Sequence, residues 1–111
     1  SSQGLKGDAV WGTRNKWVLL TGVKDNTTIT FGIFDHPKNP GYPAYAHARG
    51  YGLFSVNNLG QNAYDPKQEK VVWNLAKDES LTLRHRFFVQ SGAVVTPDDA
   101  NKIFKAFSKI H

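Results

Sequence analysis

The stretch Thr28-Ile29-Thr30-Phe31-Gly32-Ile33-Phe34 decides the fold class of this chain. Its alternation is strict. Ile29, Phe31 and Ile33 share one face of an extended backbone, and Thr28, Thr30 and Gly32 share the other. Upstream, Lys16 to Val23 is rich in apolar and β-forming residues and reads as a strand. Between the two runs, Lys24-Asp25-Asn26 is turn chemistry, because Asp and Asn tolerate left-handed backbone and bond their own main chain. The pair predicts a hairpin.

Further along, Tyr51 to Val56 is a candidate strand, and Asn57-Asn58-Leu59-Gly60 and Asp65-Pro66 are breaks. Lys70 to Ala76 alternates again, with Val71, Trp73 and Leu75 on one face, and Lys77-Asp78-Glu79-Ser80 is a polar turn. Leu81 to Gln90 is the clearest strand: Leu81, Leu83, His85, Phe87 and Val89 line one face, and Thr82, Arg84, Arg86, Phe88 and Gln90 the other. The period then changes. Thr96 suits a helix cap, Pro97 the first helical position, and Asp98 and Asp99 the positive end. Ile103, Phe104, Phe107 and Ile110 fall on one stripe, which predicts a helix from about Pro97 to Lys109. Strands followed by one terminal helix predict a mainly β chain, an antiparallel sandwich-like sheet with a C-terminal helix.

Composition bounds the rest. With 111 residues, the chain reads as one β-rich domain or the C-terminal portion of a larger β-sandwich. No apolar run approaches a membrane span, so no membrane partner is expected. Ser1 to Asp8 reads as a loose leader without the apolar stretch of a signal peptide, which leaves the compartment open, secreted or periplasmic included. Cysteine is absent, which excludes disulfides, thiolate catalysis and zinc–cysteine sites. Methionine is absent even from position 1, so the chain reads as a processed product, a domain excerpt or an engineered piece. The net charge is +5, but the basic residues are scattered from Lys6 to Lys109, so no nucleic-acid partner is expected.

Chemistry concentrates in the Pro/Gly-rich loop Asp35 to Gly52, which holds three of the four tyrosines and two of the four histidines. His36, where a strand becomes a loop, is the candidate catalytic acid/base. Asp35 beside it need not orient it, since neighbours on extended backbone point in opposite directions. The alternative is a structural His-Pro turn whose imidazole bonds the backbone. His47 and Arg49 share alternation parity and are candidate binding groups; Arg49 suits a carboxylate, a phosphate or a ring. It equally suits a surface anchor. His85 lies on the apolar face of the last strand, as a core histidine or, with Arg84 and Arg86, as a ligand contact. Tyr42, Tyr45, Tyr51 and Tyr64, with Trp11 and Trp17, suit ring-bearing ligands or the rim of a small core. The histidine spacings match no metal-ligand pattern, and no metal or cofactor is expected.

These residues resemble a known family. Trp11-Gly12 with Trp17, then Thr30-Phe31-Gly32-Ile33-Phe34-Asp35-His36-Pro37-Lys38-Asn39-Pro40, Tyr42-Pro43 and Arg49-Gly50-Tyr51-Gly52-Leu53, are similar to the PmoA-like family of bacterial proteins. Glu79-Ser80-Leu81-Thr82-Leu83-Arg84-His85-Arg86 and Val89-Gln90-Ser91-Gly92 resemble its closing strand. The family's members are longer, so the resemblance is to their C-terminal part. It implies a large β-sandwich akin to the sugar-binding sandwiches of aldose epimerases, in which His36, Asn39 and Arg49 match the motif. Ala44-Tyr45-Ala46 departs from it where a tryptophan is expected. Methane oxidation, which the family's label suggests, would need membrane spans and a metal cage that this sequence lacks.

The function expected is binding or processing of a sugar or sugar derivative, with His36 as acid/base and Asn39, Tyr42, His47, Arg49, Tyr51, His85 and Arg86 as ligand contacts. The alternatives are a non-catalytic carbohydrate-binding module and a structural or assembly domain. His36 and Arg49 are expected to meet at one rim of the sheet. A second chain or a missing N-terminal half is expected to cover exposed apolar sheet surface.

Overall fold

The computed structural model describes residues 1–111. A 3₁₀ turn at Gly7–Val10 precedes β1 (Trp17–Lys24), β2 (Thr27–Asp35), β3 (Tyr45–Ala48), β4 (Phe54–Asn57), the single-turn helix α1 (Gln61–Tyr64), β5 (His85–Ser91) and α2 (Pro97–Ser108). One antiparallel sheet has the order β1-β2-β5; β3 and β4 form a second antiparallel pair. The chain is mainly β with a C-terminal helix, as its alternation predicts.

The hairpin forms where the turn residues stand. Lys24 pairs with Thr27 across Asp25 and Asn26, whose φ values are 51° and 61°. Two successive left-handed residues fit a type I′ turn, whose twist matches that of the flanking strands. β2, the central strand, is covered on both faces towards its end. On one face Val18 and Ile33 pack with Val10 and Ala46 of the second layer, with Phe54 and Val56 around them. On the other, Trp17 and Phe34 pack against Ala100 and Phe107 of α2. The side of β2 that reads as polar is therefore also buried: Thr30 is satisfied by the Thr21 hydroxyl at 3.3 Å. Gly32 leaves room for the Phe34 ring, which would lie 2.9 Å from an added Cβ.

α2 starts as its sequence predicts. Thr96 Oγ1 accepts from Asp99 N at 3.1 Å, and the Asp99 carboxylate accepts from Thr96 N at 3.0 Å, closing a capping box with Pro97 in the first turn. The bonds from the Thr96 backbone and side chain hold the Asp99 carboxyl below its ordinary pKa. Thr96→Ala should destabilise the domain by about 1 kcal/mol, read as a drop of several degrees in the thermal midpoint. An unchanged midpoint would show that helix packing alone fixes this end.

Several expectations are corrected. Lys70 to Ala76 is not a strand, and the strand expected over Leu81 to Gln90 begins only at His85. His85 pairs with Asp35, the last residue of β2, so before it β5 has no strand to pair with. Alternation makes a strand only where a neighbour accepts its backbone bonds. The strand expected at Tyr51 begins at Phe54, because Arg49 to Leu53 form a turn closed by the bond from Arg49 N to Leu53 O. The long loop itself contains β3, and α1 lies between two segments read as breaks. The leader is tied down: Ser2 N donates to Trp17 O at 3.1 Å and Gln3 N to Asn15 Oδ1 at 3.2 Å. No helix is long and apolar enough to cross a membrane.

Candidate functional site

β2 delivers Asp35 to the end of the gap between the sheets, where it is 1% exposed. Four groups converge on its carboxylate. Asn39 Nδ2 donates to Oδ1 at 2.7 Å, Asn58 Nδ2 to Oδ1 at 3.0 Å, and Ala44 N to Oδ2 at 2.9 Å. His85 Nε2 lies 3.3 Å from Asp35 Oδ1 and 2.9 Å from Asn58 Oδ1. Both neighbours are acceptors, which assigns the proton to Nε2. Nδ1 of His85 has no protein partner, and no buried side-chain nitrogen or oxygen is left unbonded, so Nδ1 reaches solvent.

Burial alone would raise the Asp35 pKa. Hydrogen bonds from His85, Asn39, Asn58 and the Ala44 amide outweigh burial and bring it below the ordinary carboxylate value. Asp35 is therefore a fixed anion at neutral pH that holds one His85 tautomer with its free nitrogen outward. This is the arrangement that orients an imidazole for proton transfer. Asn39 adds a second service: its Oδ1 accepts from Arg84 N at 2.7 Å and its Nδ2 donates to Arg84 O. It thereby stands in for a strand partner just beyond the end of β2.

The register sets Asp35 and His85 next along the face on which Ile33 and Phe87 line an apolar groove, and neither dyad residue lines that groove itself. Asn58 follows β4 and meets His85, whereas Phe54, at the start of β4, helps line the groove with Phe31, Ile33, Phe87 and Val89. β4 thus runs antiparallel to β5 across an open edge between the layers. The groove has a volume of about 240 Å³. A larger apolar groove of about 640 Å³ runs along β1 between Leu5, Leu20, Leu53 and Val94, with Arg49 on its wall. It includes none of the dyad residues.

A second cluster lies on the outer side of β3. His47 Nδ1 is 3.2 Å from Trp11 Nε1 and 2.9 Å from the Tyr64 hydroxyl. The Tyr45 and Tyr64 rings stack at 5.0 Å. The guanidinium of Arg14 lies 4.7 Å over Tyr45, and that of Arg49 lies 4.5 Å over Trp11. His47 and Arg49 therefore face one way, as their parity predicts, with Trp11 between them.

The other candidates are dispersed. His36 is fully buried on the helix side, edge-on to Phe107 at 5.1 Å. Its Nδ1 accepts from Lys38 N at 3.1 Å, which leaves Nε2–H to donate to Ile110 O. Both nitrogens are thus taken by backbone, the arrangement weighed as the structural alternative. His36 shares no hydrogen bond or ring contact with Arg49, contrary to the expected meeting at one rim; Asp35 takes the side that faces the second layer. Tyr42 stacks on Phe104 at 6.5 Å, and burial followed by the Asp35 charge raises its pKa. Arg86 lies over Phe107 at 4.9 Å, on the helix side. Tyr51 is 83% exposed.

Asp35 as the hub and Asn58 as its partner were not legible as site residues. The available signal is parity: Asp35 follows Ile33 on one face, and His85 precedes Phe87 on one face. Only the register of β2 on β5 makes those the same face. No curated protein and no solved structure matches the chain. The DUF6807 family, a family of unknown function, matches residues 1–105, and the chain belongs to it.

Proposed function

We propose that the chain binds a small polar ring compound, with a sugar or sugar derivative favoured, in the groove between β4 and β5, and that His85 is its proton-transfer group. The observation that carries this reading is the solvent-reaching imidazole, fixed by a buried carboxylate on the face that an apolar groove continues. Ligand sites commonly combine an apolar lining with a few convergent polar groups. His85 Nδ1 would take a proton from a ligand hydroxyl while Nε2–H stays on Asp35, which stabilises the imidazolium formed. Asn58 Oδ1 shares the same Nε2–H and helps to fix the ring. The resemblance to PmoA-like proteins, and through them to the sugar-binding sandwiches of aldose epimerases, supports the same ligand class.

Calorimetric titration with neutral monosaccharides and uronic acids tests this reading. His85→Ala should weaken binding of the responding sugar several-fold, up to about tenfold, since a neutral hydrogen bond contributes ~0.5–1.5 kcal/mol. A second reading, a non-catalytic carbohydrate-binding module, is favoured by the Trp11–His47–Arg49 surface. In that case Arg49→Ala or Trp11→Ala abolishes binding and His85→Ala leaves it intact. Absence of binding to every sugar would leave the structural or assembly reading.

A further inference from the structure

Twelve consecutive residues, Val72 to Leu83, are exposed. Among them stand Val72 at 70% exposure, Trp73 at 41%, Leu75 at 56%, Leu81 at 37% and Leu83 at 41%. From Lys70 to Leu83 one backbone–backbone hydrogen bond is made, Glu79 N to Ala76 O, at a turn where Asp78 has φ 69°. The segment is thus an arm of two limbs, in which Val71, Trp73 and Leu75 and then Leu81 and Leu83 alternate but the backbone has no partner outside the turn. A chain that leaves five large apolar residues and two stretches of unpaired backbone in water presents a template for pairing.

The same chain carries a receptor of matching character. In the order β1-β2-β5, β1 is an edge strand, and outside the sheet its backbone meets only the bond from Ser2 N to Trp17 O. The 640 Å³ groove runs along that edge and is lined mainly by apolar side chains, with Leu20 and Val94 exposed. The arm joins the sheet at β5, the opposite edge from β1. The β1 edge of another molecule offers a receptor that combines unpaired backbone with an apolar groove.

We propose that two copies of this chain pair by exchanging arms: the Lys70–Ala76 limb of each adds as a strand to the free edge of β1 in the other, with its apolar side chains in the groove. Main-chain bonds along the edge supply affinity, and the alternate side chains fix the register. Exchange of one identical element between two copies closes a two-fold dimer, because each arm and each β1 edge is used once. The area suffices. The limb's three exposed apolar residues, Val72, Trp73 and Leu75, keep roughly 300 Å² in water, and two reciprocal limb–groove contacts would remove up to about 1,200 Å² in total, at the lower end of the range of stable dimers. This surface is separate from the Asp35–His85 groove, so the proposal stands apart from the sugar reading.

Sedimentation equilibrium on the intact chain provides the test. A dimer that dissociates on dilution is expected, and Trp73→Asp with Leu75→Asp should raise its dissociation constant by about tenfold or more. At dilutions where both are monomers the variant and the parent should share one circular dichroism spectrum, because both residues are exposed. The chain has no cysteine, so single-cysteine variants report cleanly. Mixing Leu75→Cys with Leu20→Cys and a short bismaleimide should give an arm-to-groove crosslinked pair in excess over either variant alone. A monomer at every concentration overturns the proposal. So does a dimer indifferent to the Asp substitutions, or crosslinking confined to arm against arm.

Discussion

Asp35→Ala is expected to cost about 3–5 kcal/mol of folding free energy, the usual penalty for removing one partner from a buried charged network. The carboxylate is the shared acceptor for Asn39, Asn58, the Ala44 amide and His85. Its loss leaves those donors unsatisfied in a region where Asn39 and Asn58 are themselves buried. A domain of this size has roughly 5–15 kcal/mol in all, so the variant would sit near its folding threshold. The thermal midpoint should fall by roughly 15–30 °C. The pH dependence follows from the sign of the shift. The folded pKa of Asp35 lies below the ordinary aspartate value of about 3.8, so the unfolded chain takes up its proton first as pH falls. The stabilisation is complete above that value and is lost as pH drops through the folded pKa. Urea melts across the acid range should therefore show a decline in the parent that is flatter in Asp35→Asn. An Asp35→Ala midpoint within a few degrees of the parent would mean that water replaces the carboxylate and that the hub does not hold the site.

How much of this was legible varies with the range of the interaction. Asp25-Asn26 specifies its turn locally, because two residues that tolerate positive φ stand between two β-forming runs. Thr96, Pro97 and Asp99 specify the start of α2 within four residues. Lys70 to Ala76 shows the limit. Val71, Trp73 and Leu75 have the period of a strand, but strand formation is settled by a neighbour that this chain does not place beside them. The site is harder still. The Asp35-His36 pair offers two titratable groups on opposite sides of one backbone, and sequence alone does not say which side faces the second layer. The register that sets Asp35 against His85, fifty residues later, decides it in favour of Asp35. His36 is then given to the helix side, where Phe107 and the Ile110 carbonyl receive it. Asn58, read as part of a break, becomes a site residue only because β4 carries it to the same edge.

Gly41→Ala should be nearly as damaging, at roughly 3–5 kcal/mol, although it adds a single methyl group. Gly41 has φ 68°, and a Cβ built on it would lie 1.8 Å from the carbonyl oxygen of Asn58. The left-handed backbone alone costs a non-glycine residue roughly 1–2 kcal/mol. The steric conflict is the larger part, because the obstructing atom belongs to the main chain and has no rotamer to change. The backbone at Asn58 is held from both sides: its side chain bonds Asp35 and His85, and Asn57 Oδ1 accepts from Leu59 N and Gly60 N at 2.8 Å each. Relief must therefore displace Asn58 and loosen its grip on His85. Gly52 is the control. Its φ is 109°, but an added Cβ meets nothing within 4 Å, so Gly52→Ala carries backbone strain without the clash. Thermal melts should place Gly41→Ala well below Gly52→Ala. In the imidazole region of the proton–nitrogen spectrum, Gly41→Ala should shift the His85 signals and leave those of His47 in place. Equal melting points for the two variants, or an unmoved His85, would show that the 40–42 turn yields to the methyl group and that close packing there does not position the dyad.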